Sequence, residues 1–363
     1  MGKEVWTVVG GGHGGQTFAG HLALLGNRVR LYTKSQEKVD EINKRREIEL
    51  CHAINGIGKI EFATTDMAQA LESATHIVLT LPSNYHESTT RRIVPYLHDG
   101  QAVLILPEAS CGAIAFRKIL TEMSCVAKVV VGAASSLPYA TRSIEPGKCF
   151  VSGMKAEVKV AALPASDNFA VERAFCSNFH GFKICKNVIE TSIDNINAMM
   201  HPAPVLLNIS RIEADPPLEF EWYIEGMTKS VGCLLEAIDA ERIAVAAALG
   251  VNQRTLKKNY IEMYGCGSDE MELYKVIQSN KGYTGIKNIK SIHSRYVLED
   301  VPYSLVPISA MGKIAGVRTP CIDAICLLYK AILGNDLDEG RTLESLGLEG
   351  MSREDFLNYV NGL

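Results

Sequence analysis

The stretch Val5-Trp6-Thr7-Val8-Val9-Gly10-Gly11-Gly12-His13-Gly14-Gly15 decides the fold. Its first five residues are an apolar, β-branched run long enough for one buried strand. They pass directly into glycines. A helical pattern follows, with Phe18, Leu22 and Leu25 on one face and Gly26 placed to stop it. A second strand then reads Arg28-Val29-Arg30-Leu31-Tyr32. Within such a strand–turn–helix–strand unit, Gly10-x-Gly12-x-x-Gly15 has the spacing of a dinucleotide cradle. Gly10 permits the tight turn, Gly12 admits a pyrophosphate to the backbone, and Gly15 lets the helix pack close to the strand. His13 and Gly14 open that helix, whose free N–H groups face the anion.

The end of the second strand selects the dinucleotide. An acid there bonds the ribose 2′-hydroxyl of NAD. This chain has Thr33 followed by Lys34, with Arg28 and Arg30 nearby, so no carboxylate repels a 2′-phosphate and a hydroxyl and a cation are there to bind one. The reading favours NADP and leaves NAD open.

Working outward, 363 residues with 47% apolar and 21% charged side chains and a net charge of −4 suggest a two-domain globular protein. The slight acidity argues against a nucleic-acid groove. No run is long enough to span a bilayer, and strand one begins too early for a signal peptide. Ten scattered cysteines without a CxxC pair or ligand spacing read as reduced thiols of a cytoplasmic protein without a metal site.

Along the chain, 35–49 reads as a charged surface helix and 60–63 as a short strand, with Thr65 or Asp66 capping a helix. Buried strands are predicted at 76–82, 102–107 and 128–132, with helices over 83–97 and 111–123 between them. Such alternation implies a parallel sheet covered on both faces. Ligands then sit beyond the carboxyl ends of the strands, so the loop Leu81-Pro82-Ser83 and the loop Pro107–Ser110 are expected to border the nicotinamide. Extra strands near 158–163 and 182–184 finish this domain. The remainder reads as helices: 230–249 is one, stopped by Gly250, and the last opens with the capping box Ser352-x-x-Asp355. The expected domains are 1–187, a Rossmann dinucleotide-binding domain of α/β class, and 188–363, all-α.

Two later stretches carry chemistry. In 189–201, Ile189, Ile193, Ile196 and Met200 make an apolar face, while Asp194, Asn197 and His201 line another side before Pro202 ends or kinks the helix. Asn208 extends the row if the helix resumes. This polar row is either a site wall or a solvated stripe. In Arg295-Tyr-Val-Leu-Glu299-Asp300-Val-Pro302, Asp300 is a helix cap or a site residue, and Arg295 an ion-pair member or a site residue.

Taken together, these residues resemble the octopine/nopaline (opine) dehydrogenase family over nearly the whole chain. The resemblance rests on the GGGHGG turn, the loop Leu81-Pro82-Ser83-Asn84-Tyr85-His86 and the run Ser135-Ser136-Leu137-Pro138-Tyr139-Ala140-Thr141-Arg142. It extends to Asn195-Ile-Asn197-Ala-Met-Met-His201-Pro202, Arg295 to Pro307, Lys229 to Gly232, Asp239 to Arg242, and Gly340 to Glu344. It implies a Rossmann domain followed by a helical domain, with the site in the cleft between them. The implied activity is reductive condensation of an α-keto acid such as pyruvate with the amine of an amino acid, using NADH or NADPH. The resemblance makes His201 the acid/base and Asp300 its partner. Arg295 would hold a substrate carboxylate, and Asn197 and Arg142 are further candidates for substrate binding. A homodimer is implied as well.

Four positions depart from the family pattern: Thr33 where an acid is frequent, Leu106-Pro107-Glu108 for Asn-Pro-Gly, Ala133 for an acid, and Ser304 for Gly. Two alternatives compete. One is a ketopantoate reductase or hydroxyacid-dehydrogenase-like enzyme, disfavoured because His201 stands where a catalytic lysine is typical. The other is a non-catalytic NADP-sensing protein.

Overall fold

The computed structural model describes residues 4–363. The chain forms two compact units, one made of residues up to 191 together with 358–363, the other of 192–357.

The first unit is built on twelve strands: β1 (Val5–Val9), β2 (Arg28–Tyr32), β3 (Glu47–His52), β4 (Gly56–Lys59), β5 (Phe62–Thr64), β6 (His76–Leu79), β7 (Ala102–Ile105), β8 (Val130–Ala134), β9 (Tyr139–Glu145), β10 (Lys148–Met154), β11 (Val158–Ala162) and β12 (Phe182–Ile184). Eight of them make one sheet in the order β12-β11-β8-β7-β6-β1-β2-β5. All five residues of β1 are buried, and the strand pairs in parallel with β2 on one side and β6 on the other, Val8 lying opposite both Leu31 and Val78. Strands clad on both faces need continuous apolar runs, which is why these segments are legible. The sheet is not wholly parallel, because β11 runs antiparallel to β8.

Five helices accompany the sheet: α1 (His13–Leu24), α2 (Gln36–Asn43), α3 (Met67–Leu71), α4 (His86–Ile93) and α5 (Gly112–Glu122). A short α6 (Asn168–Val171) precedes β12. Phe18 and Leu22 of α1 are fully buried, but Leu25 is half-exposed because the helix ends before it, and Gly26 follows at φ 88°. Asp66 caps α3, accepting from the Ala68 and Gln69 amides.

A second sheet, ordered β4-β3-β10-β9, was not expected. The predicted surface helix ends at Asn43, and Glu47–His52 is strand β3, with Ile48 and Leu50 buried against α1 at Gly20.

The second unit is helical. It contains α8 (Asn197–Met200), α9 (Pro202–Leu207), α10 (Ile209–Ile212), α11 (Lys229–Ala248), α12 (Leu256–Tyr264), α13 (Leu273–Gln278), α14 (Arg295–Leu298), α15 (Val306–Ala315), α16 (Pro320–Leu333) and α17 (Leu343–Leu346), entered through α7 (Val188–Ile193) and left through α18 (Arg353–Asn361). On α11, the buried Arg242 pairs with Asp239 at 2.7 Å and donates to the carbonyls of Ile193 and Arg254. Glu241 caps α16 by accepting from the Cys321 and Ile322 amides. The predicted single helix over 189–201 is divided at Asp194–Ile196. There the Asn195 side chain accepts from the Asn197 amide and donates to Ser304 Oγ at 2.8 Å, the competition for backbone groups typical of asparagine.

Candidate active site

In the first unit, candidate site residues lie at the carboxyl ends of β1, β2 and β6. The reversal of strand order at β1 opens the crevice where doubly wound sheets bind ligands. Gly10 has φ 133°, and a Cβ on it would collide with the Thr80 carbonyl. A Cβ on Gly15 would collide with the Gly10 carbonyl, so α1 lies as close to the turn as a glycine alone allows. By contrast, no atom stands within 4 Å of where a Gly12 Cβ would be, and Gly12 begins α1 without a side-chain cap. An open, uncapped helix start beside a glycine turn fits the pyrophosphate of a nicotinamide dinucleotide.

Other predicted residues surround this turn. His13 Nδ1 accepts from the Ser143 amide at 2.9 Å, and Gly14 lies against Leu137, so the 135–143 segment covers the start of α1. Thr33 is buried against Gly11. Lys34 is exposed, its ammonium 5.4 Å from the centre of the Tyr85 ring. The Leu81 carbonyl contacts His86 Nε2 at 3.0 Å, and Pro82 leads into a tight turn at the buried Ser83.

Arg28 and Arg30 both bind Glu61, at 2.6 and 2.8 Å, and Arg30 also donates to the Glu72 carbonyl. Burial alone would raise the Glu61 carboxyl, but the two guanidiniums hold it below its usual value. The Glu108 carboxylate is buried, accepting from the Ala113 amide and the Thr191 hydroxyl, so it braces α5 and α7 internally. Ala133 is buried within β8. Sequence reasoning passes over Lys38, one of a run of charges on α2. Its Nζ donates to the Gly11 carbonyl at 3.1 Å, beside the turn.

The second unit has candidate site residues of its own. His201 lies at the joint between α8 and α9, where Pro202 starts the new helix and His201 N–H still bonds to the Asn197 carbonyl at 3.1 Å. Asp300 follows α14 and leads into a single wide turn, Val301–Leu305, closed by a bond from Leu305 N–H to the Asp300 carbonyl. Such widened turns frequently mark functional sites. His201 Nδ1 and Asp300 Oδ2 are 2.7 Å apart, with the side chains 12% and 11% exposed. Asp300 makes no cap bond; its carboxylate contacts the histidine instead. Burial pushes its carboxyl above the ordinary range; His201 opposes that shift, Glu299 adds to it, and Arg295 weakly opposes it.

Arg295 donates to Glu299 at 2.6 Å, yet its side chain is 74% exposed and remains open to a further carboxylate. Asn197 is exposed one turn before His201, whereas Asn208 is buried and bonded to the Pro204 and Gly226 carbonyls, so it does not extend the polar row. Ser304 is likewise internal. Arg142 is exposed on β9 of the first unit. No group of three or more His, Cys, Asp or Glu able to hold a metal occurs among the described residues.

A dinucleotide cradle in one unit and a paired histidine on a helical second unit define the class of nicotinamide-dependent dehydrogenases with a separate helical domain. Residues 184–333 match the NAD/NADP octopine/nopaline dehydrogenase alpha-helical domain, and residues 6–128 match the N-terminus of NAD-dependent glycerol-3-phosphate dehydrogenase. The chain is 37% identical to the opine dehydrogenase of Arthrobacter sp. (strain 1C) over 96% of its own length and 97% of that protein. Its fold resembles octopine dehydrogenase in complex with NADH and L-arginine, with a TM-score of 0.82 at 22% identity over 99% of this chain and 98% of that one. It also resembles NADP+-bound yersinopine dehydrogenase, with a TM-score of 0.72 at 14% identity over 99% and 98%. The chain belongs to the octopine/nopaline (opine) dehydrogenase family. It is an NAD(P)-dependent oxidoreductase of the CH–NH class that joins a keto acid reductively to an amino acid.

Proposed function

We propose that this enzyme condenses an α-keto acid, pyruvate among them, with the amine of an amino acid, prefers NADPH, and uses His201 as its acid/base. The observation that carries this reading is the His201–Asp300 pair at 2.7 Å. A carboxylate on Nδ1 fixes the tautomer and stabilises the imidazolium, which leaves Nε2 to work. Amine and carbonyl combine with loss of water to give an imine. Nε2–H protonates the imine nitrogen, and the carbon becomes electrophilic enough to accept hydride. Gly10, Gly12, His13, Gly14, Gly15, Leu81, Pro82 and Ser83 would hold a nicotinamide dinucleotide, which would supply that hydride. The exposed guanidinium of Arg295 holds a substrate carboxylate through its remaining donors, with Asn197 beside His201 and Arg142 in supporting roles. Solvent then returns a proton to the ring.

The NADPH preference is supported by the chemistry beyond β2. Thr33 replaces the acid that would repel a 2′-phosphate, Lys38 brings a cation to the turn, and Lys34 follows Thr33 with its ammonium over Tyr85. We further propose a cytoplasmic homodimer. Absence of disulfides among the ten cysteines agrees with a reducing compartment, and no described helix is long and apolar enough to cross a membrane.

The test follows NADPH absorbance with pyruvate alone, with each of a set of amino acids alone, and with both together. Oxidation is expected only with both. Equal oxidation with keto acid alone would make the enzyme a hydroxyacid dehydrogenase.

A further inference from the structure

The His201–Asp300 bond constrains one nitrogen of the imidazole, and a ring held at one atom still rocks about that bond. A second contact removes this freedom. The Tyr296 ring lies face to face with the imidazole, centroids 3.8 Å apart and planes within 4° of parallel. Tyr296 is on α14, four residues before Asp300, so one short segment supplies both the hydrogen-bond partner and the stacking partner of His201.

Tyr296 is itself backed by aromatic rings of the same unit. Trp222 stands 5.9 Å from it, tilted by 47°, and is packed in turn against Phe220. The buried Tyr223 phenol neighbours that of Tyr296, stacks on Tyr283 at 3.9 Å, and Tyr283 shares a 2.8 Å hydrogen bond with Tyr260. A ring backed by large, buried, two-torsion side chains has little room to move.

We propose that Tyr296 is a positioning residue: its ring, braced by Trp222 and Tyr223, holds the His201 imidazole in the plane that Asp300 selects, so that Nε2 presents its proton along one direction. This rests on the reading of His201 as the acid/base. A ring free to rock would present the proton correctly for only part of the time, and small misplacements of a catalytic group are costly.

The experiment compares Tyr296→Phe with Tyr296→Leu, each alone and in the His201→Ala background. Tyr296→Phe keeps the stack, and its kcat should stay within about threefold of wild type. Tyr296→Leu should lower kcat roughly 10–100-fold, with unchanged KM for keto acid and amino acid and unchanged Kd for NADPH. In His201→Ala, where there is no ring to hold, Tyr296→Leu should cost nothing further. Should Tyr296→Leu fail to fold, Tyr296→Met, a flexible side chain of similar reach, makes the same comparison. If His201→Ala turns over normally, the acid/base reading falls and this inference with it. If His201→Ala is impaired, the inference alone is overturned by any of three results: wild-type kcat in Tyr296→Leu, equal losses in Phe and Leu, or the same fold loss in both backgrounds.

Discussion

Asp300 differs from an ordinary surface carboxylate in being buried on His201, and burial raises its carboxyl while the imidazole opposes the rise. On the proposed mechanism its contribution to turnover is orientation and charge rather than binding. Asp300→Asn should lower kcat roughly 10²–10⁴-fold in steady-state assays, with NADPH affinity retained, because an amide neither fixes the tautomer nor stabilises the imidazolium. Lys38 is the residue-scale feature that sequence reasoning passes over. On a charged helix its spacing marks it as solvated, and only the fold brings Nζ to the Gly11 carbonyl. Removing a charged donor from a phosphate costs about 10–100-fold. Lys38→Met should therefore lower kcat/KM for NADPH by that factor and leave NADH turnover nearly unchanged, as measured with both cofactors. His201 and Asp300 were found through their motifs, but their contact was not readable locally. They are 99 residues apart, and helical periodicity carries no information across that distance.

At the scale of elements, the core strands were legible because burial on both faces leaves uninterrupted apolar runs. The second sheet was not. Ile48 and Leu50 alternate with Glu47, Glu49 and Cys51 just after a dense charge run, and one of the two partners of β3, β10, lies about a hundred residues away. The division between α7 and α8 was missed because it depends on the Asn195–Ser304 bond. The Glu61 bridge also emerges only from pairing, since it joins the β5 edge to Arg28 and Arg30 of β2. Two guanidiniums lower the folded-state value of Glu61 below its ordinary 4.5. Its stabilisation is therefore present above the unfolded value and is lost as pH falls through the folded one. Allowing for solvent screening, Glu61→Gln should destabilise the protein by about 0.5–1 kcal/mol at pH 7. Urea unfolding should show the difference between wild type and variant shrinking as the pH is brought below 4.5 toward the folded value.

On the scale of the whole molecule, the division of labour was visible from patterning: glycine turn and alternating strands first, helices afterwards. On the proposed mechanism dinucleotide recognition falls to the first unit and proton transfer to the second, so the two functions should separate on mutation. The most direct test is His201→Ala, with NADPH affinity measured by fluorescence titration and kcat measured with saturating keto acid and amino acid. The account predicts kcat lowered roughly 10²–10⁴-fold with the NADPH Kd unchanged. An unchanged kcat would contradict it.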